Sequence, residues 1–202
     1  MTTVLAAITP DRAAALTRPK FDTVTIAIHW TTVLLVIGLF AVGIALATHQ
    51  APSEATVEIL LTVHRSLGVS VWMLTVARLA WRANWASFPP WPQSMGPAQR
   101  LAARFSEYGL YALLMIQPLT GMVASLSRGH PFELFFVVRV PALMARNGTM
   151  VHLFEAIHEW GAWLFAAVIS VHAAASLLHR FILRDGVFQS MSPLRRRPAR
   201  ST

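Results

Sequence analysis

Cysteine is absent from all 202 residues. That excludes disulfides, thiolate metal ligands and a cysteine nucleophile. Charge is scarce as well. Only 13% of residues are Asp, Glu, Lys or Arg, against about 25% in an average soluble domain. Acidic residues number nine against seventeen basic ones, for a formal charge of +8. No polar segment interleaves basic residues with aromatics, so nucleic acid is not an expected partner. No internal repeat is visible.

What the chain has in abundance is apolar sequence, 55% of its residues, arranged in long runs. The first runs from about Val24 to Thr48, the second from Ile59 to Trp81, the third from Phe105 to Leu126, and the fourth from Val151 to Leu183. Each approaches or exceeds the ~20 residues that cross ~30 Å of hydrocarbon as a helix. A bilayer offers backbone groups no water, so each run is expected to be helical. The fourth exceeds what a perpendicular span needs and is expected to tilt or project. The expected fold class is all-α, a four-transmembrane-helix bundle. Residues 1–20 read as a flexible head, 21–188 as the bundle and 189–202 as a basic tail.

The connections differ in kind. Residues 83–99 contain "SFPPWPQSMGP", whose prolines and glycine oppose regular structure. Residues 128–150 carry an apolar middle, "FELFFVVRV", too short to span and read as lying at the interface. Basic residues sort by side. Arg12, Arg18, Lys20, Arg78, Arg82, Arg100, Arg104, Arg180, Arg184, Arg195, Arg196, Arg197 and Arg200 share one side; Arg65, Arg128, Arg139 and Arg146 share the other. The positive-inside rule then puts both termini in the cytoplasm. The "ALA" at Ala45–Ala47 resembles a signal-peptidase site, but the preceding apolar run exceeds the ~7–15 residues of a signal peptide's apolar core.

Ionisable groups inside such spans are costly and rare. His49 and His130 fall in outer loops, His152 at the start of the fourth span and His179 near its inner end. The remaining four pair by depth. His29 lies about five residues into a span that starts inside, and His64 about five residues into one that starts outside. His158 is near the outer end of the fourth span, and His172 follows fourteen residues later, ~21 Å deeper and offset by about 40° around the helix. His64 and His158 therefore share the outer level, and His29 and His172 the inner one.

Two facing imidazoles are too few for zinc, which takes four ligands. No carboxylate lies on the same faces at both levels; Glu155 and Glu159 lie near the outer one only. Two axial histidines suit a haem iron, whose other ligands come from the macrocycle. The expectation is two stacked b-type haems, the outer held by His64 with His158 and the inner by His29 with His172. Small residues would give the plates room: Gly43 fourteen residues after His29, Gly68 one turn after His64, Gly161 and Ala162 after His158. Arg78, fourteen residues after His64, reaches the inner level, where propionates need a cation. Plainer readings stand beside these. A membrane histidine can bond a neighbouring carbonyl, and small residues promote helix contact without a cofactor. Arg78 also reads as a positive-inside anchor. Trp72, Trp81, Trp85, Trp160 and Trp163 read as belt or packing residues.

The segments "IAIHWTTVLLVIGLFAVGIAL", "LLTVHRSLGVSVWMLTVARLAWR" and "IHEWGAWLFAAVISVHAAASLLHRFILRDGVFQSMSP" together resemble the bacterial cytochrome b561 family, from about residue 18 to 193. The resemblance implies haem ligation by His29, His64, His158 and His172 and a place in the bacterial inner membrane. Within that family the chain resembles the superoxide oxidase type. It implies superoxide as electron donor at the outer side and ubiquinone as acceptor in the bilayer. This chain departs in a longer basic head and in the outer loop between the third and fourth spans, where superoxide selectivity would lie.

Three functions are therefore carried forward. The first is a dihaem superoxide:quinone oxidoreductase, with Arg65, Arg128 and Arg139 as outer cations offset by Glu54, Glu58, Glu133, Glu155 and Glu159. For quinone, Arg78, Arg82 and Arg104 are inner candidates and Glu155 or Glu159 outer ones; no catalytic residue is assigned. The second is a cytochrome b electron-relay subunit of a hydrogenase- or dehydrogenase-type complex, docked to a redox protein partner. The third is a haem-free metal or proton carrier.

Overall fold

A computed structural model describes residues 19–48 and 53–193. Four long helices dominate: α1 (Thr23–Ala47), α2 (Glu54–Asn84), α3 (Pro97–Ser127) and α4 (Gly148–Leu178), the last continuing through a π-helical turn, His179–Leu183. All four are long and apolar enough to cross a membrane. A short helix α5 (Val187–Ser190) follows. The head to residue 18, His49 and the tail from residue 194 lie outside the described residues.

Caps set the helix starts. Asp22 Oδ1 accepts the Thr25 N–H at 2.8 Å, Ser53 Oγ that of Thr56 at 3.3 Å, and Asn147 Oδ1 that of Met150 at 3.1 Å. Each satisfies one donor that a helix start leaves unpaired. The proline-rich connection is irregular only over residues 85–96. Its last proline, Pro97, is the first residue of α3, where the missing N–H costs nothing. The spans thus begin earlier than hydropathy alone indicates, because α2 and α3 carry polar first turns, "EATVE" and "PAQR".

The all-α architecture carries one addition. The apolar outer stretch folds back as an antiparallel hairpin, β1 (Phe132–Leu134) with β2 (Val138–Val140), in register Phe132 to Val140. Its turn places Phe135 and Phe136 at φ 54° and 59°, where Asn-Gly is the usual choice. Left-handed backbone costs about 1–2 kcal/mol at such residues. A bond from the Phe135 N–H to Ser66 Oγ on α2, 2.6 Å long, helps hold it. The hairpin therefore sits on the outer end of α2 and does not float free.

Packing follows chain order: α1 on α2, α2 on α3, α3 on α4. Within the described residues the Cα atoms of α4 stay more than 8 Å from those of α1 and α2. Side chains bridge that gap at mid-height. Val36, Val71, Leu114 and Phe165 form the buried core, and the Phe40 and Phe165 rings meet at 5.9 Å. Phe165 is seven residues from both His158 and His172, so the apolar core separates the two histidine levels. The outer faces of the helices are apolar and bare; Trp160 is 73% exposed and Ile182 71%. In water such surface would drive association; against lipid it is the expected exterior.

The two ends of the described chain meet at one end of the bundle. Phe21 N–H donates to the Ser190 carbonyl (3.1 Å), Trp30 Nε1 to that of Met191 (2.8 Å) and Lys20 Nζ to that of Ser192 (3.0 Å). The turn that directs the chain there uses Arg184 and Gly186 at positive φ. Beside it, buried His179 pairs with Asp185 at 2.6 Å. Trp81 Nε1 donates to Asp22 Oδ1 at 3.0 Å, tying the end of α2 to the start of α1.

Candidate functional site

At the outer level the structure brings two of the four intramembrane histidines together. The rings of His64 on α2 and His158 on α4 are 6.0 Å apart, centre to centre, and inclined at 85°. Two imidazoles on opposite sides of one metal ion need about this separation, with metal–nitrogen bonds of ~2 Å. Their helices have no close backbone contact, so only the side chains cross the gap.

His158 is held from α3 by "QPLTG", residues 117–121. Its Nδ1 lies 3.1 Å from the Gln117 carbonyl and 3.0 Å from Thr120 Oγ1. The Thr120 hydroxyl itself donates to that carbonyl at 2.8 Å. A carbonyl only accepts, so Nδ1 carries the proton and Nε2 keeps its lone pair. This is the arrangement by which outer partners orient a ligating histidine. The Gln117 side chain donates to the His158 carbonyl at 2.8 Å. Interhelical bonds in membranes average only about 0.6 kcal/mol, so this set serves orientation more than cohesion.

Glycines give the rings their space. A Cβ at Gly121 would stand 3.0 Å from His158 Cε1, and one at Gly43 on α1 would stand 3.4 Å from His64 Cε1. One at Gly161 would strike the Gln117 amide. Gly68, by contrast, faces Pro118 at 3.9 Å, at the α2–α3 contact and away from the rings. His64 lies against the Leu39 backbone, yet its Nδ1 is buried without a hydrogen bond. Gln117, Thr120 and Gly121 were not among the sequence candidates. Their signal was available: a polar pair three residues apart, flanking a proline, inside an apolar span.

At the inner level His29 and His172 lie within electrostatic reach of one another. Ser106 Oγ stands 3.4 Å from His172 Nδ1, and Arg78 Nη1 stands 3.5 Å from His29 Nδ1. Arg78 also lies over the Tyr111 ring at 5.2 Å, with its Nε buried and unpaired. Next to it Phe21, Thr25, Arg82, Ala86, Phe88, Glu107 and Tyr111 line a small cavity. Arg82 is ion-paired with Glu107 there, and Arg104 points outward, exposed.

The outer cations differ in what surrounds them. Arg128 pairs with Glu155, and Arg139 is exposed, across the hairpin from Glu133. Arg65 is buried, 8% exposed. Among the described residues no three His, Cys, Asp or Glu side chains are grouped as a protein-only metal site. Of the tryptophans, Trp160, Trp163 and Trp85 are exposed, while Trp81 bonds Asp22.

The family described as prokaryotic cytochrome b561 matches residues 20–193. The chain is 32% identical to cytochrome b561 homolog 2 of Escherichia coli strain K12, over 87% of this chain and 92% of that protein. It is 27% identical to cytochrome b561 homolog 1 of the same strain, over 88% and 99%. It is 25% identical to the probable superoxide oxidase CybB of Yersinia pestis, over 88% and 98%. The family match covers all four spans and both histidine levels, and the chain belongs to the prokaryotic cytochrome b561 family, multi-pass membrane cytochromes of electron transport with b-type haem.

Proposed function

We propose that the chain is a dihaem cytochrome that takes electrons from superoxide at its outer face and delivers them to ubiquinone. His64 with His158 would hold the outer haem and His29 with His172 the inner one. Haem supplies a reversible one-electron carrier. Such a carrier suits a donor that gives one electron at a time and an acceptor that takes two. Two superoxide anions become two dioxygen molecules, and one quinone gains two electrons and two protons.

The carrying observation is the outer imidazole pair, 6.0 Å apart on helices kept apart elsewhere. The chain's own residues have separable tasks. Gln117 and Thr120 keep the proton of His158 on Nδ1, which leaves Nε2 as the ligand. Gly43 and Gly121 keep the space beside the rings open. Arg78 stands at the inner level as a cation for propionate. Phe40 and Phe165 exclude water between the levels. The cytoplasmic placement of both ends rests on the distribution of Lys and Arg; the meeting of residues 20–30 with 190–192 supports only their lying on one side.

The test is stopped-flow mixing of superoxide with the oxidised protein. Reduction of the haem band faster than spontaneous dismutation, then reoxidation by added ubiquinone, is expected. Haem that stays oxidised would favour the relay subunit, which needs a protein donor. A purified protein lacking a Soret band would leave only the haem-free carrier.

A further inference from the structure

Among the described residues, one strong charge near the outer pair has no ion-pair partner. Arg65 follows His64 on α2 and is 8% exposed. A guanidinium is always charged, and burying one without an anion is unfavourable. Its Nε donates to Ser125 Oγ at 3.1 Å, and its carbon lies 4.8 Å over the Phe132 ring of the hairpin. Its Nη1 is buried and has no hydrogen-bond partner. No carboxylate forms an ion pair with it among the described residues; Glu58 and Arg128 act on it only at a distance. Arg128 is itself paired with Glu155.

Position adds to charge. Ser125 lies one helical turn beyond Gly121 on α3, and Gly121 is the residue that makes room for His158. Arg65 is thus anchored about one turn, ~5.4 Å, to the outer side of the imidazole pair. The hairpin closes over it, fixed by Phe132, itself 5% exposed, and by the bond from Phe135 to Ser66. The site has a fixed guanidinium, one aromatic wall, one hydroxyl anchor and one unused buried donor. That chemistry suits a carboxylate or small oxyanion.

We infer that Arg65 is a built anion site on the outer side of the His64–His158 pair, with Nη1 as the waiting donor. This rests on the outer pair holding a haem. The anion then has two sources of the same chemistry: a propionate of that haem, or the free anionic substrate.

The test uses the purified full chain with its haems, as Arg65→Gln and Arg65→Lys. Haem per chain, the midpoint potential of each haem and the second-order rate of reduction by superoxide are measured across ionic strength. If the anion is a propionate, Arg65→Gln loses outer haem or lowers its potential by about 59 mV, a tenfold shift in a one-electron equilibrium. The inner haem is unchanged, and Arg65→Lys recovers part of the effect. If the anion is the substrate, both haems and potentials persist, while reduction slows at least tenfold and loses much of its salt dependence. Wild-type values in every readout overturn the inference while leaving the dihaem reading intact. A wild-type protein without haem overturns both. Should Arg65→Gln fail to accumulate, Arg65→Lys decides, because a lysine keeps the charge but loses the planar fork. A shift in the same direction then supports the site, and wild-type behaviour overturns it.

Discussion

The imidazole of His158 meets that of His64 nearly at right angles, 6.0 Å away, across helices whose Cα atoms stay more than 8 Å apart. Here each level holds one ring from α4 and one from α1 or α2, and an apolar core with Phe165 at its centre lies between the levels.

Replacing one histidine should therefore empty one level. His64→Ala or His158→Ala is expected to halve the haem content and spare the inner haem's spectrum and potential. His29→Ala or His172→Ala should do the converse. Low-temperature difference spectra of the reduced proteins would separate the two bands. Loss of the inner band on removing His64 would contradict the pairing.

Thr120 and the Gln117 carbonyl share the proton of His158. Thr120→Val keeps the shape and removes the hydroxyl acceptor. Loss of such an outer partner usually costs 10–100-fold in metal affinity. The remaining carbonyl should hold the loss near the lower figure, about tenfold. Haem retention during dilution in detergent, with apomyoglobin as acceptor, measures it; unchanged retention would mean Thr120 does not orient the ring.

At Gly121 a methyl group would stand 3.0 Å from His158. Gly121→Ala should push the ring and weaken the outer haem, and Gly121→Leu should abolish it. Gly68→Ala, facing Pro118 at 3.9 Å, should leave haem content unchanged. Haem-to-protein ratios of the three variants check the contrast.

Asp22 gives a pH signature outside the spans. Burial opposes its ionisation, but bonds from the Thr25 N–H and hydroxyl and from the Trp81 indole outweigh it, so its pKa lies below the usual value. The stabilisation is therefore fully present above about pH 4, the unfolded value, and is lost as pH falls through the folded pKa. Asp22→Ala should cost about 0.5–2 kcal/mol near neutrality, as lost caps do. The gap from wild type in thermal unfolding should narrow below about pH 4. A gap independent of pH would show that the carboxylate charge is not what stabilises the helix start.

Much of this was legible in the sequence because the bilayer simplifies the problem. A run such as "VLLVIGLFAVGIALA" has one folded option in lipid, and a fourteen-residue interval has one meaning on a helix. Spacing alone put His158 and His172 on nearly one side of α4. Other features depend on contacts between segments far apart in sequence. Nothing near His158 announces that Gln117 and Thr120, some forty residues earlier, will receive its proton. Gly68 sits one turn from His64 but turns toward Pro118, because a residue four places along a helix still deviates by tens of degrees. The hairpin was hidden for a local reason: "ELFFVVR" offers two phenylalanines where a tight turn normally shows Asn-Gly. The closing contact of residues 190–192 with α1 lay beyond the last apolar run, where hydropathy has no signal.

The most direct measurement is the haem content of the purified chain, by pyridine haemochrome against amino-acid analysis, combined with a redox titration. Two b-type haems per chain, titrating as two components, is the predicted result. A ratio that saturates at one, or a folded protein with no pigment, would contradict it.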